Sequence, residues 1–128
     1  MKKLILPVFI FLLAWSCSPS QKAASSDKRT SIVIDSTEYE ITIIDNEFDL
    51  WYQLNYSPAK DYSNEYYRSK NQIGVINWND YYNRNRHSRV IENYLYYDSS
   101  VDYGLEVNRK LFWYFKFIEE NYRIRLFQ

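Results

Sequence analysis

The sequence predicts an α+β domain in which a small antiparallel sheet is covered by two or three helices. Three observations predict it: β-branched, partly alternating residues between 31 and 45, capping residues ahead of aromatic runs between 46 and 76, and a long amphipathic pattern after residue 102. The chain contains 14 Tyr, 7 Phe and 4 Trp but only one Met. We therefore expect much of the core to consist of aromatic rings.

The first predicted elements are strands. Residues 38–45, EYEITIID, alternate and form one apolar face. That face consists of Tyr39, Ile41 and Ile43. A shorter strand at 31–34 can pair with it across residues 35–37. Residues 90–97 are compatible with a strand or a helix, and we interpret them as a strand that completes the sheet.

Two helices are predicted after the strands. Asn46, followed three residues later by Asp49, resembles a capping box and predicts a short helix over 47–55. Its apolar side would consist of Phe48, Trp51 and Tyr52. A longer helix is predicted to start at Ser63 as its cap, with Gly74 bending or breaking it because glycine disfavours a helix interior. The apolar face expected for this second helix is Tyr62, Tyr66, Ile73 and Ile76.

The clearest element is a long amphipathic C-terminal helix capped by Asp102. Its apolar arc contains Val107, Leu111, Tyr114, Phe115, Ile118 and Tyr122, with Phe112 and Phe117 on the flanks. Its opposite side contains Arg109, Lys116, Glu120 and Arg123. Trp113 is expected to lie towards this polar side. We expect this helix to organise the core.

The N-terminus predicts export. Two lysines precede an apolar run over residues 4–14, which is typical of a secretory signal. The run is about 11 residues long, and a transmembrane helix needs roughly 20. We therefore predict a signal peptide over 1–16.

The residues that end this run, LAWSC, resemble the lipobox of bacterial lipoproteins. In that family the Cys thiol is alkylated by diacylglycerol and the signal is cut just before it. Ser16 fits the pattern, whereas Trp15 stands where the family prefers a small residue. The resemblance implies lipidation at Cys17 and a periplasm-facing location on the inner or outer membrane of the cell envelope.

The residues after Cys17 lack core-forming character. Residues 18–31, SPSQKAASSDKRTS, contain only two Ala as apolar residues. We interpret 17–31 as a flexible tether and 32–128 as a single globular domain.

Composition excludes several classes of function. The chain has 16 basic and 16 acidic residues, and without Lys2 and Lys3 the balance is 14 to 16, which argues against a dedicated nucleic-acid binder. One His and one Cys argue against a metal site, and two Gly provide no phosphate-binding loop or dinucleotide fingerprint. We predict no metal, no cofactor and no enzymatic activity.

One polar loop is a candidate binding site. Its basic members, Arg84, Arg86, His87 and Arg89, could bind a phosphate, sulfate or carboxylate group. An ordinary solvated loop has the same composition, so both interpretations stay open.

Three tyrosine doublets predict exposed rings. Adjacent side chains diverge in both strands and helices, so the doublets at 66–67, 81–82 and 96–97 cannot bury all of their rings on one face. Exposed Tyr and Trp can bind glycans or protein partners, whereas the alternative is that the rings mainly build the core.

Several stretches resemble an uncharacterised family of small lipoproteins from Bacteroidetes. They are Trp78-Asn79, Tyr97-Asp98 and the run DYGLEVNRKLFWYFKF that starts at Asp102, and the similarity spans roughly residues 37–126. The resemblance implies an envelope compartment and a single domain, and it transfers no activity. We predict a non-enzymatic lipoprotein that is held at the membrane by Cys17 and binds a protein partner or supports an envelope complex. The alternative is a glycan- or peptidoglycan-binding module that uses exposed Tyr and Trp.

Overall fold

A computed structural model describes residues 32–35 and 40–128, with side chains from residue 41 onward. The predicted signal peptide, the tether with Cys17 and the turn at 36–39 lie outside the described residues. The described part is a helix-rich mixed fold. Its elements are β1 (Ile32–Asp35), β2 (Glu40–Ile43), α1 (Asn46–Asn55), a 3-10 turn (Pro58–Lys60), α2 (Asn64–Asn83) and α3 (Leu105–Tyr122).

Regular β-structure is limited, within the described residues, to β1 and β2. These four-residue strands pair antiparallel, with Ile32 opposite Ile43. The prediction that residues 90–97 form a further strand is wrong. Backbone groups of this segment bond side chains of α2 instead of a neighbouring strand, and its two buried side chains, Ile91 and Leu95, pack into the core.

Helix α1 begins one residue earlier than predicted. Asp45 is the N-cap, and its Oδ1 accepts hydrogen bonds from the backbone N–H of Glu47 (2.9 Å) and of Phe48 (3.1 Å). Asn46 is therefore the first helical residue. The predicted apolar side is confirmed, because Phe48 is buried while Trp51 and Tyr52 pack against the core.

Helix α2 starts at the predicted cap but buries another face. Ser63 Oγ accepts from the backbone N–H of Tyr66 (3.2 Å), and the helix continues through Gly74 without a break. The predicted apolar face is wrong, since Tyr66, Ile73 and Ile76 are exposed. The buried face consists of Tyr67, Asn71, Gly74, Val75, Trp78 and Asn79. Half of these side chains are polar or absent, so the face does not appear in an apolar pattern.

Helix α3 occupies the centre of the core and contacts α1, α2 and β2. It begins at Leu105, with Gly104 at φ 89° as the N-cap; Asp102, the predicted cap, accepts from the Gly104 N–H instead (2.9 Å). The placement of Trp113 on a polar side is wrong, because only 5% of it is exposed. Rings from α1 and the residue after it cover Trp113 at centroid distances of 5.5 to 6.2 Å: Trp51, Tyr52 and Tyr56.

The C-terminal segment closes the core beyond α3. Ile124 and Leu126 are buried, and Glu119 Oε1 accepts from the backbone N–H of Leu126 (2.7 Å). Asn77 on α2 donates to the Leu126 carbonyl (2.7 Å). In the part of the chain that the structure describes, no helix has both the length and the apolar character needed to span a bilayer.

Candidate functional site

A groove of about 650 Å³ lies between α2 and the segment that follows it. We call it the tyrosine groove. It is lined by Val75, Ile76, Asn79, Asp80, Asn83, Tyr94, Leu95, Tyr96, Tyr97, Asp98 and Tyr103. Four of these eleven residues are Tyr, and four more carry an amide or carboxylate side chain. This combination of ring faces and polar groups is typical of a ligand-binding site.

Helix α2 forms one wall of the tyrosine groove. Its lining residues are spaced along one helix face: Val75, Ile76, Asn79, Asp80 and Asn83. Asn79 is buried and fixes the opposite wall, because its Nδ2 donates to the Leu95 carbonyl (2.9 Å) and its Oδ1 accepts from the Leu95 N–H (2.8 Å). One residue earlier on α2, Trp78 Nε1 donates to the Asn93 carbonyl (2.7 Å). These side chains replace the strand partner that the 90–97 segment lacks.

The opposite wall presents tyrosine rings because burial alternates along this segment. Leu95 is buried while Tyr94 and Tyr96 on either side of it are exposed. Tyr96 is 81% exposed, and its ring centroid lies 5.0 Å from that of Tyr94. The two ring planes are inclined by 55° to each other, and both rings line the groove together with its polar groups.

Tyr97 and Tyr103 form the end of the groove towards α3. Their ring centroids are 5.1 Å apart. The Tyr97 hydroxyl donates to Asn108 Oδ1 (2.9 Å), and the Tyr103 hydroxyl accepts from the Asp98 N–H (3.0 Å). Burial raises the pKa of Tyr97 to about 12, so this hydroxyl stays neutral and keeps its role as a donor.

Two carboxylates border the tyrosine groove. Asp80 pairs with Arg84 Nε at 3.0 Å, and both side chains are more than half exposed. Asp98 Oδ1 accepts from the Ser100 hydroxyl (2.6 Å) and from the Ser100 backbone N–H (2.9 Å). These two hydrogen bonds hold the pKa of Asp98 below its ordinary value, so it is ionised at neutral pH.

The basic loop that the sequence singled out lies beside the groove and does not line it. Arg84, Arg86, His87 and Arg89 are all exposed. Arg84 is engaged by Asp80, whereas the Arg86 guanidinium lies 5.4 Å from the Tyr81 ring centroid and the His87 ring meets the same ring edge-on at 5.0 Å. Binding of an anion by these four residues stays a prediction.

A second polar cluster joins α3 to the turn before α2. Arg109 donates to both carboxylate oxygens of Asp61, with Nε at 2.9 Å and the terminal nitrogen at 2.6 Å. The Tyr67 hydroxyl also donates to Asp61 (2.5 Å). The hydrogen bonds from Arg109 lower the pKa of Asp61. The polar groups of this cluster are hydrogen-bonded to one another, which favours a structural role for the cluster.

Sequence reasoning missed the tyrosine groove, although one signal pointed to it. The 96–97 doublet predicted that its two rings would diverge, and Tyr96 is exposed while Tyr97 is half-buried. The polar wall of α2 carried no signal that distinguishes it from a solvated helix face. Among residues 32–35 and 40–128, no three or more His, Cys, Asp or Glu side chains come together as a metal site would require.

The comparison with protein families gives one match. The model of a family of unknown function, DUF6146, matches residues 4–128. No curated protein and no solved structure matches the chain.

Proposed function

The chain belongs to DUF6146, a family of unknown function, and we propose that it is a non-enzymatic glycan-binding domain whose site is the tyrosine groove. One observation carries the proposal: the exposed, adjacent rings of Tyr94 and Tyr96 lie in the same groove as the carboxylates of Asp80 and Asp98. A pyranose ring has a face of C–H groups and a rim of hydroxyls. It therefore matches an aromatic surface that is bordered by hydrogen-bond acceptors and donors.

The fixed backbone of the groove supports the proposal. The hydrogen bonds of Trp78 and Asn79 hold residues 93–95 on α2, so the tyrosine wall has its backbone arranged before a ligand arrives. A preformed site loses less conformational entropy on binding than a disordered loop does. Tyrosine adds to this advantage, because it offers a large contact area with few rotatable bonds.

The proposal predicts that Tyr96→Ala weakens glycan binding by about tenfold or more, which corresponds to roughly 1.4 kcal/mol. The ring provides contact area but little support to the core, since most of it is exposed. The measurement is a glycan array with peptidoglycan fragments included, followed by titration of the strongest ligand. Tyr62→Ala is the matched control, because Tyr62 is exposed but lies outside the groove. Equal binding by both variants would contradict the proposal.

We further propose that a lipid on Cys17 holds the domain at the cell envelope. The lipobox-like residues before Cys17 and the apolar run ahead of them support this anchor. Two or three acyl chains hold a protein at a bilayer much more firmly than one chain does. Residues 17–31 would reach at most about 50 Å when fully extended. The groove would then meet its ligand close to the membrane that carries the anchor.

The anchor is tested by Cys17→Ser. Because the thiol is the atom that receives the lipid, we expect this variant to lose metabolic labelling by a fatty acid and to leave the membrane fraction. Ser16→Ala is the control, since it keeps a small residue before the Cys and should stay labelled. A Cys17→Ser protein that remains labelled and membrane-bound would refute the anchor.

A second candidate function, binding of an envelope protein, is favoured by the outer face of α1. This face carries the exposed side chains of Leu50 and Leu54, of which Leu54 is 76% exposed, and exposed Ile44 precedes the helix. Exposed Glu47 and Asp49 border it. An apolar patch with an acidic border suits a partner protein whose own apolar patch has a basic border.

This second candidate predicts a partner that depends on Leu54. After crosslinking in intact envelopes, Leu54→Gln should no longer recover a protein that the unaltered chain recovers, because a polar amide replaces the most exposed apolar contact. Ile73→Gln changes an exposed aliphatic residue on α2 and should recover it. Recovery that is equal for both variants would rule out this face.

A further inference from the structure

The charged residues that line the tyrosine groove are all acidic. Of the described residues that line it, two are acidic, Asp80 and Asp98, and none is Lys, Arg or His. Arg84 does not line the groove, but its ion pair with Asp80 at 3.0 Å offsets the negative charge of that carboxylate. Asp98 accepts only neutral donors among its hydrogen bonds, from Ser100. The Arg68 guanidinium, which does not line the groove, donates to the neighbouring Ser99 carbonyl (2.8 Å). None of the described residues that line the groove pairs with the negative charge of Asp98.

The aromatic rings of the groove add to this preference. The face of a tyrosine ring is electron-rich and attracts a cation, while it repels an anion. Tyr96 and Tyr97 directly precede Asp98 in the chain and line the same groove, and the Tyr103 hydroxyl accepts from the Asp98 N–H. A cationic group at this end would lie next to the Asp98 carboxylate and the aromatic lining of the groove.

We infer that the ligand of the tyrosine groove is a glycan with a free, protonated amino group, such as a hexosamine that lacks its N-acetyl group. This inference rests on the proposed glycan-binding function. The ammonium group pairs with Asp98, and the sugar ring packs on Tyr96. An acetylated amine is neutral and loses the ion pair, whereas an acidic sugar is repelled by Asp98.

The test uses two oligosaccharides that differ only at the amine. Glucosamine tetramer and N-acetylglucosamine tetramer are titrated calorimetrically into the protein at about pH 5, where the sugar amines are protonated and Asp98 is still ionised. An exposed ion pair and a cation–π contact together predict about tenfold tighter binding of the glucosamine tetramer. The preference should shrink as salt is raised, because salt screens exposed charges.

Asp98→Asn removes the charge of this side chain but keeps its shape, so it tests the charge alone. The asparagine Oδ1 can still accept both hydrogen bonds from Ser100, so the local fold is kept. This variant should reduce the tenfold preference to about twofold or less, because it removes the charge on which the difference between the two tetramers depends. Asp49→Asn, which removes an exposed acid on α1 outside the groove, should keep the full preference.

The possible failures are distinguishable. If the acetylated tetramer binds equally well or more tightly, the charge inference is wrong and the glycan-binding function stands. If neither tetramer binds and no sugar on the array does, the glycan-binding function itself is wrong. Binding of a lysine oligomer in place of either sugar would overturn the inference in favour of a basic peptide.

Discussion

Replacing Gly74 with alanine is expected to lower the free energy of unfolding by about 1–3 kcal/mol, the range found for overpacked cores. In an exposed helix interior the same change normally stabilises, since alanine is favoured over glycine by about 1 kcal/mol. The sign is reversed here because a Cβ at position 74 would lie 2.5 Å from Phe115 Cδ2 and 2.6 Å from Cε2. The Phe115 ring is fully buried, so it has little room to move away.

A double-mutant cycle isolates this contact. Phe115→Leu removes the ring edge that the new methyl group would strike, so Gly74→Ala should become neutral or stabilising in that background. Chemical denaturation, monitored by fluorescence and by helical circular dichroism, provides the four unfolding free energies. A Gly74→Ala protein that is more stable than the unaltered chain would contradict the close packing of α2 on α3.

Asn79→Ala is expected to lower the free energy of unfolding by about 2–3 kcal/mol and to abolish glycan binding. The substitution removes two hydrogen bonds and leaves the N–H and the carbonyl of Leu95 without their partner in a buried place. An unsatisfied buried polar group destabilises by about 1–3 kcal/mol. Since the same bonds hold the wall that carries Tyr94 and Tyr96, the groove should lose its shape.

Asn77→Ala is the matched control for this second prediction. Asn77 lies two residues earlier on α2 and also donates to a neighbouring segment, through the carbonyls of Leu126 (2.7 Å) and Gln128 (2.8 Å). It is less buried, so the loss should be about 1 kcal/mol, with glycan binding unchanged. Full glycan binding by Asn79→Ala at native stability would show that the wall does not depend on this side chain.

Local signals in the sequence predicted the helices well. Ser63 has the side-chain oxygen that a helix N-terminus needs, and the aromatic residues of α1 and α3 follow the helical period. Trp113 was misplaced because its burial comes from Trp51, Tyr52 and Tyr56, whose position depends on how α1 packs against α3. A helical wheel of one element cannot contain that information.

The sequence pattern did not predict the tyrosine groove, for a related reason. Asn71 and Asn79 are polar, yet they lie on the buried face of α2 because each bonds backbone groups of another segment, those of Asn108 and Leu95. A hydrophobic pattern assigns such residues to solvent. The Asn79 bond and that of Trp78 hold residues 93–95 against α2, and this segment forms no strand or helix of its own. The tyrosines could be recognised from the sequence, but their convergence with Asp80 and Asp98 could not.

Nuclear magnetic resonance mapping of the bound glycan tests the central claim most directly. The isotope-labelled domain is titrated with the strongest glycan from the array, and backbone amide shifts are followed. If the tyrosine groove is the site, the largest changes should lie at residues 94–98 and along residues 75–83 of α2, with α1 unaffected. Changes that centre on Leu50 and Leu54 or on the 84–89 loop, or the absence of any change, would contradict the account.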